Sequence, residues 1–423
     1  MQVRVIVSNL VTAALVTAAA LLPQESSEPE GLLDRIKQKL ASDLGALPDY
    51  TCKQTIQRWR RGKDTAGWEK LDTLKVDVAF IKGNEQYGWD GSKLGDKELR
   101  QITGRGSIGT GSFALHARNI FLRKPPEFSY AGEAPLADGR KALRYDFQVD
   151  HEASSYLVRI DTHEARAAFR GAFWVHPETL DLIKLAIEAE EVPGTPVASV
   201  SDTMEYTRVD IAGRQVLLPK AAELIVAESN GDQNRNLTQL TSCRQYAVES
   251  KLSFGPEPSA TSAPVEIPRQ ATTLPARVTV ELALDTEIDP ENAAVGDEVR
   301  AVVTRAIKHD DRVVIPEGTV ALGRLARNDR EALPYPHHVL ALEFHTLELP
   351  AGRIDVHATM EDASGQGVLR VQTTFMPVFD RKRRVPAMSI LVREQQKGQG
   401  VIHWDAKHAR VKKGLRMKWE TRE

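Results

Sequence analysis

His337, His338 and His345, preceded by His309, Asp310 and Asp311, are the residues whose types could hold a metal ion. Transition-metal binding needs imidazole and carboxylate groups that converge from different directions. His345 directly follows the apolar Phe344 on an alternating stretch and so points to the outer face, while His337 and His338 follow Pro336 in what reads as a loop. All three are expected to be solvated surface histidines. Carboxylates suited to general acid–base work are grouped as Glu188, Glu190 and Glu191, and as Glu281 and Asp285. That chemistry needs two carboxyls in a cleft with different surroundings, whereas both groups occupy the polar positions of half-exposed strands. Neither G-x-S-x-G nor HExxH occurs, and two cysteines cannot build a zinc cluster.

Gly104–Gly109, GRGSIG, fits the spelling G-x-G-x-x-G and precedes a helix-like stretch, Ser112–Leu122. A dinucleotide fold requires a buried apolar strand before that motif, and Lys97–Thr103 is polar with no βαβ alternation around it. The stretch reads as a glycine-rich loop. No enzyme and no cofactor is implied. Lys+Arg 56 against Asp+Glu 58 leaves no global field for nucleic acid. One local basic patch, Phe375–Arg384 (FMPVFDRKRR), sets Phe375 and Phe379 beside Arg381, Lys382, Arg383 and Arg384. It is a candidate contact for anionic lipid or an envelope protein partner.

Compartment follows from the N-terminus. Arg4 precedes the uncharged, mostly apolar Val5–Leu22, and Ala18-Ala19-Ala20 offers a cleavage site, so Met1–Ala20 reads as a signal peptide and the mature protein as periplasmic or otherwise secreted. In an oxidising compartment the two cysteines, Cys52 and Cys243, are expected to form a disulfide.

The elements that would position these residues are mainly strands. In Ala167–Glu190, Phe169, Phe173 and Val175 share one face and Ile183, Leu185 and Ile187 share one face of the return, with charged residues between them. Pro177 suits a turn joining the two strands. A helix beginning at Pro177 is the competing reading of PETLDLIKLAIEAEE, since its residues are also good helix formers. Gly31–Leu44 spaces Leu32, Leu33, Ile36, Leu40 and Leu44 as an amphipathic helix. Alternating stretches from Asp49 to Tyr246 read as a long antiparallel meander. A Pro-rich linker, 254–276, separates this unit, 31–253, from 277–423, which alternates throughout and reads as a small all-β barrel or sandwich.

The first unit resembles the half-barrel of Lol-type outer-membrane lipoprotein carriers. The residues that carry the likeness are the helix Gly31–Leu44, the turn Tyr87-Gly88-Trp89-Asp90-Gly91, and Trp174–Thr179 followed by a strand with outward charges. The resemblance implies a mainly β fold, a curved antiparallel sheet closed by N-terminal and crossing helices around an apolar cavity for an acyl chain. On that expectation Phe169, Phe173, Ile183, Leu185 and Ile187 line the cavity, and the partner is a lipid or a lipoprotein acyl chain. The alternative is a structural or protein-interaction scaffold of the envelope. The second unit is more faintly similar to the C-terminal barrel of conjugation-type type IV secretion channel subunits, through Val314–Thr319 and Gly323-Arg324.

Overall fold

The computed structural model describes residues 30–89, 106–123, 125–136, 138–139, 141–160, 163–246, 274–309, 312–332, 335–350, 352–369 and 398–422. The signal segment, residues 254–273 of the linker and the patch Phe375–Arg384 lie outside the described residues, as does Gly104.

Helix α1 (Leu32–Gly45) buries Leu32, Ile36, Leu40 and Leu44 against a ten-stranded antiparallel sheet. Its strands are β1 (Tyr50–Arg61), β2 (Glu69–Ile81), β3 (Asn84–Trp89), β4 (Phe128–Pro135), β5 (Lys141–Val149), β8 (Phe169–Val175), β9 (Leu182–Glu190), β10 (Val197–Ile211), β11 (Arg214–Glu228) and β12 (Gln233–Gln245). A small separate hairpin, β6 (Leu157–Ile160) and β7 (His163–Arg166), interrupts them. The order is β3-β2-β1-β12-β11-β10-β9-β8-β5-β4, so the first strand pairs with the last and, among the described residues, the edges are β3 and β4. Bulges on β4, β9, β10 and β12 add local twist and curl the sheet into a half-barrel. A short helix, Leu115–Arg118, continues into a wider turn, Asn119–Arg123, on the concave side.

The strand reading of Leu182–Glu190 holds and the helix reading does not. The alternation slips once, because Val175 pairs with Leu182 while Trp174 pairs with Lys184, leaving Ile183 as an extra residue. Leu182, Leu185, Ile187 and Ala189 therefore face the core, and Ile183 is only half-buried. Cys52 and Cys243 form a disulfide between the neighbouring strands β1 and β12.

The second unit is a barrel of β13 (Thr279–Leu284), β14 (Glu298–Val303), β17 (Val320–Glu331), β18 (His337–Leu349), β19 (Gly352–Asp355), β20 (Ala358–Ser364), β21 (Gly400–Asp405) and β22 (Arg416–Thr421). A hairpin of β15 (Ile307–His309) and β16 (Arg312–Ile315) stands apart. The order is β19-β18-β17-β14-β13-β22-β20, with β21 on β18 beyond the end of β19. The amide of Met360 donates to the Gln399 carbonyl at 3.4 Å, which brings β20 beside the start of β21 and curls the sheet round. Its interior is filled by Leu340, Leu342, Phe344, Trp404, Trp419 and their neighbours.

His337 and His338 correct the loop assignment. They open β18, paired to β17 and β21 on both sides, and are 1% and 4% exposed. Pro336 sits at the strand's entrance, where a missing amide costs no ladder bond.

The units meet at β2. Val295, in the loop before β14, donates its amide to the Thr73 carbonyl (2.7 Å) and accepts from the Lys75 amide (2.8 Å), extending the sheet where β3 ends. Its side chain joins the buried cluster of Leu74, Val76 and Trp89.

Candidate ligand-binding site

The concave face has two chemically distinct halves. Under α1, strands β4, β5, β8 and β9 present Phe128, Tyr145, Phe147, Phe169, Phe173, Leu185 and Ile187, all 9% exposed or less. Aromatic geometry is regular here: Tyr145 stacks on Phe173 at 5.1 Å between centroids, and Phe121, from the turn after the short helix, meets Phe173 edge-on at 5.1 Å. Four of the five residues expected to line a cavity, Phe169, Phe173, Leu185 and Ile187, fall in this cluster. Ile183 does not, for the bulge described above, and Leu182 takes the inward place.

The helix over this wall is fastened mainly through its second half. Arg208 on β10 reaches Asp43 at 2.6 Å and Asp181 at 2.5 Å, and Lys39 reaches Asp43 and Asp181 at 3.0 Å each. Burial opposes charge on Asp181, but hydrogen bonds from Arg208 and Lys39 outweigh it and hold the carboxyl below its usual range. Arg118 also donates to the Leu44 carbonyl at the helix's end. Nearer the N-terminus, Lys37 lies over the Phe128 ring at 5.8 Å.

The other half of the concave face is polar. β1 contributes Gln54 and Arg58, β12 contributes Asn234, Asn236 and Thr238, and β10 contributes Asp202, each at most 8% exposed. Arg58 is held by both oxygens of Asp72, one at 2.7 Å through Nε. Residues Gly106–His116 lie over this floor. Glu85 fixes them, accepting the amides of Gly111, Ala114 and Leu115 at 2.8–3.0 Å and the Tyr87 hydroxyl at 2.6 Å. His116 reaches Asp202 at 3.3 Å and stacks on Tyr156 at 5.2 Å. Burial alone would lower the His116 pKa; the hydrogen bond and charge of Asp202, with Glu85 beyond, outweigh it and raise the pKa above its ordinary value. A void of about 10 Å³ remains between this segment and the floor, lined by Ile56, Ser112, Asp202, Asn236 and Thr238 among others.

The charged residues Glu188 and Glu190 project outward and pair with Arg170 at 3.1 and 2.7 Å, as a solvated face would. Among the histidines, His337 and His403 come within 5.5 Å ring to ring, and burial, with His337 and Arg327 nearby, lowers the His403 pKa to about 4. Among the described residues no group of three or more His, Cys, Asp or Glu side chains has metal-holding geometry. Sequence reading missed the polar floor because its residues sit at the alternate positions where apolar ones were counted. Asn234, Asn236 and Thr238, spaced by two, were the signal available.

No family model and no curated protein matches the chain. Solved structures match it in part. A LolA superfamily protein, NE2245, from Nitrosomonas europaea is 12% identical over 51% of this chain and 94% of its own, with a TM-score of 0.26. A domain assigned to outer membrane lipoprotein sorting from Vibrio parahaemolyticus is 12% identical over 51% and 93%, with a TM-score of 0.26. A DUF1329 family protein from Desulfovibrio piger is 10% identical over 54% and 96%, with a TM-score of 0.26.

Proposed function

We propose that this is an exported, non-enzymatic envelope protein whose half-barrel takes one acyl chain of a lipid or lipoprotein between α1 and the wall of β4, β5, β8 and β9. The aromatic wall beneath the amphipathic helix α1 carries the reading. A 14-residue helix is marginal alone and depends on the face it buries. A hydrocarbon chain can take over those contacts while the ties at Lys39 and Asp43 keep the helix attached. About ten methylenes at roughly 0.8 kcal/mol each would supply several kcal/mol, less the cost of ordering the chain. The second barrel would then dock to an envelope partner, with Phe375–Arg384 as the candidate contact. Among the described residues no helix is long and apolar enough to cross a membrane.

The small void on the polar half favours a second reading, in which the half-barrel is a packed scaffold and the barrel does the binding. Displacement of a fluorescent fatty acid, together with mass spectrometry of lipid that co-purifies, separates the two. Folded wild-type protein that binds no fatty acid and carries no lipid would leave the scaffold reading.

A further inference from the structure

The polar floor is built to meet a backbone. Pairing across five strands puts Asp202, Leu224, Asn236, Arg58 and Asp72 in one row, with Asn234 and Thr238 on either side along β12. Gln54 Oε1, Asn234 Oδ1 and Asp202 Oδ1 are buried and have no hydrogen-bond partner among the described residues. All three are acceptors, so what would satisfy them is a ligand that brings N–H or O–H donors.

The segment that covers the floor shows which kind of ligand fits. Asn236 donates its amide to the main-chain carbonyl of Ser107 at 3.1 Å. A β-carbon on Gly106 would lie 2.9 Å from Leu71, and one on Gly109 would lie 2.8 Å from Leu224. Gly106 also has φ +80°, which favours glycine. Main chain thus reaches the floor at positions where side chains have no room. Carboxamides match peptide groups donor for acceptor, which suits a floor rich in Asn and Gln.

We propose that this floor is a binding site for an extended, glycine-containing peptide, and that Gly106–Ser112 occupies it in cis as a built-in competitor. Glu85 tethers that competitor through the amides of Gly111, Ala114 and Leu115, away from the floor itself. The proposal does not rest on acyl-chain binding, which the fatty-acid assay reads separately.

The test uses the full-length, disulfide-bonded protein and a fluorescein-labelled peptide GSIGTGS, the chain's own residues 106–112, followed by anisotropy. Two independent variants release the competitor: Glu85→Ala removes its tether, and Gly109→Val drives it from Leu224. Hydrogen exchange at residues 106–112 reports the release. Both released forms are expected to bind the peptide at least tenfold more tightly than wild type, and adding Asn236→Leu should reverse the gain. A peptide with valine at each glycine should not bind. Released variants that bind no better than wild type, or that bind equally well with Asn236→Leu present, would overturn the proposal.

Discussion

Gly296 approaches Lys75 so closely that a β-carbon on the glycine would stand 2.2 Å from the lysine's carbonyl oxygen. Contact between the two units is therefore made by main chain against main chain, with Val295 as the added strand residue and no space for a side chain beside it. Lys75 and Asp297 add an ion pair at 2.6 Å, and Arg324 lies over Trp89 at 5.0 Å.

Replacing Gly296 should therefore part the units without unfolding either, since each has a core of its own. Gly296→Val meets the carbonyl and also a φ of +101° that valine resists. A loss of about 2 kcal/mol or more is expected, read by calorimetry as one transition dividing into two. Lys75→Ala should cost only about 0–1 kcal/mol, because that ion pair is half in solvent. An unchanged single transition in Gly296→Val would refute the main-chain account of this contact.

The disulfide closes a separation of 191 residues. The chain-entropy estimate for such a loop is roughly 5 kcal/mol, and measured losses on removing native bridges run about 2–5 kcal/mol. Reduced protein, or Cys52→Ser with Cys243→Ser, should show a lower urea midpoint by a corresponding amount. Coincident midpoints for oxidised and reduced protein would contradict this.

Leu185→Glu puts a carboxylate in a wall where the leucine is 0% exposed. It should weaken fatty-acid binding by more than roughly tenfold, whereas Lys184→Glu, which only loses a contact with the outer face of Trp174 at 4.9 Å, should change binding little. Phe169→Ala, at the rim of the same wall, provides a milder check should Leu185→Glu fail to fold. Fluorescence displacement with circular dichroism on each variant reads the outcome, and equal losses in the inward and outward variants would count against an acyl site.

The His116–Asp202 pair predicts a pH dependence of definite sign. Because the folded pKa of His116 is raised, its contribution is fully present below the unfolded value of about 6.5 and is lost as pH rises through the folded pKa. Asp202 and Glu85 face the ring electrostatically, and Tyr156 packs on it. Protection factors for residues 106–116 should fall as pH rises past neutral, and His116→Gln should abolish that fall. Protection that instead rises with pH would show the sign to be wrong.

Much of the fold was legible because one-sided sheets repeat every second residue. Phe169, Phe173, Leu185 and Ile187 were correctly placed on one face by that rule alone, and α1 by its leucines. Ile183 was misplaced because a bulge is a one-residue slip with no compositional mark here. His337 and His338 read as loop residues in the sequence because burial on β18 depends on β21, more than sixty residues later along the chain. The polar floor stays hidden for a related reason: Asn236 and Arg58 become neighbours only through the pairing of β1 with β12, a long-range closure that local periodicity does not report.

That closure also decides how the protein responds to a mechanical load. Tension applied between α1 and the barrel enters at β1 and leaves after β12, and the Cys52–Cys243 bond joins those two points covalently. The force therefore passes through one sulfur–sulfur bond and bypasses the strands between. Pulled from its ends in an oxidising compartment, the half-barrel keeps its shape and hides its contour length; only after reduction can it be unravelled.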